Sequence, residues 1–360
     1  MAGIYIHIPF CKQACYYCDF HFSTSLKRKE ELLNAIKQEL LLRKNEFGTA
    51  QIETIYFGGG TPSILTIDEL QFLITIIYEN YRVVNNAEIT LEANPDDLSI
   101  QKIKELAQSP INRLSIGIQS FFEDDLKFMN RAHTAEESKK CLVEAKKYFD
   151  NITIDLIYGV PNMSNEKWLA NLKQAFEFGI PHISSYALTV EEKTVLHSFI
   201  KNGKVPPVDE NLALEHFNIL VEETEKQGFV HYEISNFGKP EYFSKHNISY
   251  WQGEKYLGIG PSAHSFNGLE RSWNVSNNTK YINSLLENKL PSESEILTIN
   301  NRFNEYIMTG LRTIWGVSFE KVEKDFGVNY LEQLKINAKP FIENGLLEIQ
   351  QNSLSSNILV

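Results

Sequence analysis

The chain of 360 residues is long enough to bury more than one core, so two or three domains are the starting expectation. With 42% hydrophobic and 22% charged residues it has a globular composition, and no apolar run approaches the roughly eighteen residues that a membrane span requires. A net charge of −11 with scattered Lys and Arg offers no basic stripe to a nucleic-acid backbone, which argues against nucleic acid as a partner and leaves membrane contact only through another protein.

The first eight residues are apolar but lack a basic leader, and they run into Cys11 with no small-residue cleavage site. They read as a core strand of a cytoplasmic protein. Further β-branched runs at 54–57, 88–92, 113–118, 152–157 and 182–187 join 4–8 as six expected strands. Helical patterns alternate with them at 27–43, 67–78, 99–107, 135–148 and 166–178, two of them opened by the capping boxes Thr66 with Glu69 and Thr134 with Glu137. This alternation predicts an α/β fold built on an open, partial (β/α)6 barrel.

After about residue 195 the pattern changes, with a loop at 203–207, a helix at 212–226 and an irregular aromatic-rich segment at 236–278. Helices at 302–311, 319–326 and 331–343 and a strand at 346–349 then suggest a small C-terminal α+β module. The expected division is 1–195 for the barrel, 196–290 for its extension and 291–360 for the module.

Four cysteines do not make a secreted disulfide framework, because Cys11, Cys15 and Cys18 crowd into eight residues while Cys141 sits alone in a helical stretch. The C-x₃-C-x₂-C spacing follows the first strand, where a loop at the carboxyl end of a barrel can wrap an inorganic cluster. Thiolates are the usual ligands of cubane iron–sulfur clusters, and three of them leave one iron open for a second molecule. A structural zinc site completed by His7 or His21 is the alternative on spacing alone, although no second knuckle is present.

Tyr5, His7, Pro9 and Phe10 together with the cysteine triad resemble the opening of the radical-SAM superfamily, in its coproporphyrinogen-oxidase-like branch. The resemblance extends from Tyr5 to about Ile349 and implies a [4Fe–4S] cluster on Cys11, Cys15 and Cys18 that binds S-adenosylmethionine. Polar residues recur where barrel ligands are expected, at the ends of successive strands. Matched to the family, Tyr5, Tyr17, Gly59, Gly60, Thr61, Glu92, Gln119, Arg131 and Asp155 are expected to contact the adenosylmethionine. The missing β-carbons of the glycines would let the backbone approach it, and Arg131 could pair its carboxylate or cap a helix end.

Two details separate the branches. The oxygen-independent coproporphyrinogen oxidases carry a further cysteine two positions after the triad, where this chain has Phe20, while His246, Asn247, Tyr250 and Trp251 match the H-N-x-x-Y-W signature of HemW-type haem chaperones. That resemblance implies haem binding and delivery to an acceptor protein, together with an electron donor. His246 with Tyr250 and Trp251 is then either a haem contact or a structural aromatic turn, and His264 is a second, weaker ligand candidate. The competing implication is a radical enzyme acting on a tetrapyrrole. Because relatives continue past a segment like 345–349 into a further strand and helix, the C-terminal module is expected to be cut short.

Overall fold

A computed structural model describes residues 2–357, so Met1 and the last three positions of the expected C-terminal module, 358–360, lie outside it. The barrel half runs β1 (Ala2–Ile8), α1 (Lys29–Arg43), β2 (Ile52–Gly59), α2 (Ile67–Asn80), β3 (Val83–Ala93), α3 (Ile100–Ala107), β4 (Arg113–Gln119), α4 (Glu123–Phe128), α5 (Ala135–Ala145), β5 (Ile152–Tyr158), α6 (Asn165–Glu177) and β6 (His182–Ala187). Both expected capping boxes form, each Thr hydroxyl accepting from the N3 amide while the N3 Glu accepts the cap amide. Strands β1 to β6 pair in order and in parallel, which is the predicted partial barrel.

The next stretch holds α7 (Val195–Lys201), α8 (Glu210–Lys226), β7 (Val230–Glu233), β8 (Asn236–Gly238), α9 (Lys245–Trp251), β9 (Lys255–Ile259), β10 (His264–Phe266), β11 (Glu270–Asn274), α10 (Asn278–Leu286) and β12 (Ser292–Ile296). These strands extend the same sheet on both flanks, in the order β12-β11-β10-β9-β1-β2-β3-β4-β5-β6-β8-β7. Strand β9 pairs parallel to β1, so the parallel core gains a strand on the side opposite β2. The irregular segment anticipated around it thus holds four short strands, β8 to β11, and the helix α9, joined by loops.

A second, smaller core gathers α11 (Ile299–Gly310), β13 (Val317–Ser318), α12 (Phe319–Phe326), α13 (Val328–Glu343), β14 (Leu347–Gln350) and β15 (Ser353–Ser356) around Val317, Val322 and Leu354. Strands β14 and β15 form a hairpin whose turn residues Gln351 and Asn352 both have positive φ, and β15 lies between β14 and β13. A further strand is thus present where the module was expected to stop.

Alternation along the barrel strands divides the residues by chemistry. Ile4, Ile6 and Ile8, with Ile55, Phe57, Ile89 and Leu91, are fully buried and belong to the main apolar core. The opposite face carries Gly3, Tyr5 and His7 on β1, Thr54 and Tyr56 on β2, Glu88 and Glu92 on β3, and Arg113, Asp155 and His182 beyond them. A buried sheet face this polar stands only if its groups satisfy one another, and they do so across strands: Tyr56 donates to Glu92 at 2.8 Å, Arg113 to Thr153, and Thr153 shares a hydrogen bond with His182 at 3.0 Å.

The β9 flank is fastened by a buried carboxylate. Glu39 on α1 accepts from Arg43 at 3.0 Å, Asn274 at 2.8 Å, the Gly260 amide at 2.9 Å and Tyr281 at 2.5 Å. Arg43 also donates to the Gly258 carbonyl at 3.0 Å. Removing one member of such a set strands its partners without water. Glu39→Ala is expected to cost about 3–5 kcal/mol of unfolding free energy in denaturant titration, and a loss within experimental error would show that the network is not a brace.

Candidate functional site

The cysteine loop begins where β1 ends and is held at several points. The Cys11 amide donates to the Ser23 carbonyl at 3.1 Å, the Tyr16 amide to the Met129 carbonyl at 3.2 Å, and the Asn130 side chain to the Ala14 carbonyl at 2.8 Å. Asn130 itself lies in the left-handed region, which Asn tolerates better than most residues. Helix α7 closes the far side, with its Leu196 amide on the Tyr16 carbonyl at 2.8 Å and Phe199 edge-on to Tyr16 at 5.1 Å.

A chain of hydrogen bonds joins two of the thiols across the barrel rim. Thr61 donates to Cys11 Sγ at 3.5 Å and accepts from Asn94 Nδ2 at 3.3 Å; Asn94 Oδ1 accepts from Arg131 Nη2 at 2.6 Å; Arg131 Nη1 reaches Cys15 Sγ at 3.3 Å. Arg131 also donates to the Gly117 carbonyl at 3.0 Å and contacts the Tyr17 hydroxyl at 3.5 Å, leaving its buried Nε without a partner. Neither expected role of Arg131 is its whole role, since it first holds the cysteine loop.

Burial, then the nearby Cys15 thiol, pushes the Cys11 thiol up, partly offset by Thr61; burial pushes Cys18 up to about 11. Two thiols of the loop, Cys11 and Cys18, thus disfavour ionisation where they stand, which suits a metal centre whose positive charge would reverse the balance. Thiolates on different irons of a cubane need not meet at one point. A single zinc ion would need a fourth ligand nearby, yet His7 has both nitrogens engaged, with Tyr5 at 3.2 Å and the His21 carbonyl at 3.0 Å, and His21 bonds Asn278 at 2.7 Å. Among the described residues the three thiols do not converge on a point that could hold one metal ion, and it is their donor chemistry, three free cysteines on one loop, that fits the cluster.

Around the same rim stand two half-buried carboxylates. Burial raises Glu92 to about 7 against the hydrogen bond from Tyr56, with Asp155 raising it further, and burial raises Asp155 to about 6 against Arg131 and Arg113. The glycines beside them are demanded by the protein itself. A β-carbon on Gly59 would lie 2.5 Å from the His7 ring, and one on Gly60 would lie 2.7 Å from the Phe10 carbonyl oxygen. Gly59 also adopts φ 107° and donates its amide to Glu92 at 3.2 Å. Gln119 ends β4 at φ 66°, and a β-carbon on Gly117 would lie 2.9 Å from its side-chain nitrogen and 3.1 Å from the Arg131 guanidinium.

The aromatic motif of α9 lies beneath this rim. His246 is almost wholly buried, with Nδ1 on Thr54 at 2.7 Å and Nε2 on the Tyr250 hydroxyl at 2.9 Å, and its ring stacks on Tyr56 at 4.9 Å. Burial lowers its pKa to about 3. Glu88 anchors α9 from below by accepting the Lys245 and His246 amides at 3.2 Å. Both ring nitrogens of His246 are thus engaged in hydrogen bonds within the chain. Tyr250 does reach a cavity of about 1090 Å³ that also touches Tyr5, Gly59 and Glu92, whereas Trp251 does not line it.

Residues 5–175 match the model of the radical SAM superfamily, and 297–356 match that of the HemN C-terminal domain. The chain is 33% identical over 358 residues to the heme chaperone HemW of Bacillus subtilis (strain 168), covering 98% of this chain and 94% of that one. This chain belongs to the HemW family. The Lactococcus lactis HemW is 36% identical over 91% of this chain and 85% of its own length. Coproporphyrinogen III oxidase (HemN) from Escherichia coli, a radical SAM enzyme, shares the fold with a TM-score of 0.85 over 99% of this chain and 86% of that one, at 22% identity.

In this HemW-family chain Tyr5, Gly59 and Glu92 line the cavity that Tyr250 reaches, Tyr17, Thr61 and Arg131 contact the cysteine loop or one another, and Gly60, Gln119 and Asp155 lie on or just beyond β2, β4 and β5 without lining it. Asn94 was missed, although its place one residue before Pro95 at the end of a strand was a usable signal. Arg131→Ala is expected to weaken both adenosylmethionine binding and cluster retention, because the guanidinium touches Cys15 directly. Arg131→Lys should restore charge without the forked contacts, and full iron content with unchanged adenosylmethionine affinity in both variants would remove Arg131 from the site.

Proposed function

We propose that this chain is a haem chaperone that binds haem and hands it to an acceptor protein, carrying a [4Fe–4S] cluster on Cys11, Cys15 and Cys18 and S-adenosylmethionine at the barrel rim. The observation that carries the reading is the match to heme chaperones over 98% of this chain and 94% of the relative. When bound, the cluster supplies a one-electron centre with an open iron position, which calls for an electron donor among the partners.

The chain's own residues then divide the work. Asn94 and Arg131 hold Cys11 and Cys15 in place through Thr61, so the loop is positioned before anything binds. Glu92 and Asp155 offer carboxylates to a cationic ligand in a site that otherwise disfavours their charge. Tyr5 and Tyr17 supply apolar faces with polar tips. Among the described residues no helix is long and apolar enough to cross a membrane.

The test is an anaerobic haem titration of the cluster-reconstituted protein followed by visible absorbance. Saturation near one haem per chain supports the chaperone. Absence of saturable binding, with turnover of coproporphyrinogen instead, would favour the enzyme reading that the HemN fold keeps open.

A further inference from the structure

The cavity above the barrel mouth continues past the rim onto the C-terminal module, so that Gly59 and Glu92 at one end and Arg302 and Lys324 at the other line the same space of about 1090 Å³. This is at the upper end of the roughly 300–1,000 Å³ usual for small-molecule sites. We propose that this cavity seats the haem, with His264 giving the axial imidazole and Arg302 and Lys324 receiving the propionates. The inference rests on the chaperone reading and assigns it a site.

A haem has three demands: an apolar slot for the macrocycle, a neutral imidazole at its face and cations at its carboxylate edge. Of the histidines that reach the cavity, His7 has both ring nitrogens engaged and His21 is held through Nε2 by Asn278, while His246 lies below it. His264, at the first position of β10, is exposed into the cavity, and among the described residues no hydrogen bond engages its ring. Burial and then Arg271 lower its pKa, which keeps the ring neutral and its lone pair free at physiological pH. Trp273 flanks the imidazole at 6.3 Å.

The apolar wall is contributed by Tyr256, Phe266 and Phe20, the last 69% exposed. An exposed Phe of this size has no packing role within the chain, and it stands where the oxidases resembled above have their extra cysteine. At the module end four cations enter the cavity, but two are neutralised: Arg271 by Glu305 at 2.9 Å and Lys321 by Asp325 at 3.3 Å. Among the described residues Arg302 and Lys324 have no ion-pair partner, and the buried Nε of Arg302 makes no hydrogen bond at all. A buried guanidinium nitrogen without an acceptor is a site for a carboxylate from outside the chain.

The test titrates three porphyrins, haem, metal-free protoporphyrin IX and haem dimethyl ester, into the full-length reconstituted protein and into His264→Ala and Arg302→Gln. His264→Ala is expected to weaken haem by tenfold or more and to shift its Soret band, with no change for the metal-free porphyrin. Arg302→Gln should weaken haem by about tenfold to a hundredfold and leave the dimethyl ester unchanged. Unaltered haem affinity and spectrum in His264→Ala overturns the assignment, as does loss of the spectrum in His246→Gln with His264→Ala intact. Failure of the unmodified chain to bind any of the three would instead remove the chaperone reading on which the site depends.

Discussion

Cys15→Ala, reconstituted with iron and sulfide without oxygen, is expected to lack the visible absorbance of a cubane cluster and to lose saturable adenosylmethionine binding with it. Among the described residues the one cysteine outside the loop is no substitute. Cys141 is buried in α5 with its thiol pushed up to about 12 by burial, and the ring nitrogens of His7 are already engaged. The variant would also leave Arg131 facing an empty position at the end of its hydrogen-bond chain, so the loop should loosen as well. Cys141→Ala is the matched control and should keep full iron and sulfide. Full iron and sulfide in Cys15→Ala would sink the cluster assignment.

The second large effect is a pH dependence set by Glu92. Its pKa rises from 4.5 in the unfolded chain to about 7 in the fold, so the folded state holds the proton longer. The cofactor-free protein is therefore most stable, as far as this group is concerned, below about pH 4.5, and loses roughly 3 kcal/mol as pH rises through about 7. Asp155, raised to about 6, adds in the same direction. Glu92→Gln should flatten the profile between pH 5 and 8 in denaturant titrations of the cofactor-free chain. Binding of a cation beside Glu92 reverses the sign: adenosylmethionine affinity should rise with pH through this window and release a proton. A pH-independent affinity in the unmodified protein would place the cationic end of the cofactor elsewhere.

What could be read from the sequence were features written locally. Thr66 with Glu69 and Thr134 with Glu137 mark helix starts within four residues, and the β-branched runs mark strands buried on both faces. The cysteine spacing and the polar strand ends likewise announced the rim. Strand β9 was hidden because Gly258 and Gly260 dilute its pattern; a β-carbon on Gly258 would lie within bonding distance of the His264 carbonyl oxygen, a constraint visible only once β10 is folded beside it. The burial of His246 depends on Thr54, 192 residues away, and the role of Asn94 on Arg131, 37 residues away. A motif names residue types, whereas the partners that decide which nitrogen is free come from distant strands.

Strand β1 carries Cys11 just beyond its end and is flanked on one side by β2, on the other by β9 at Lys255–Ile259. On a ribosome adding about 5–20 residues per second, roughly ten to forty seconds separate synthesis of these two neighbours. Through that interval β1 is an open edge, and the Arg43 and Glu39 bonds to the β9 flank do not exist. Closure of the sheet on that side of β1 is thereby tied to completion of the distant half of the chain, whereas the cysteine loop finds its own partners, Ser23, Met129, Asn130 and Leu196, well before β9 is made.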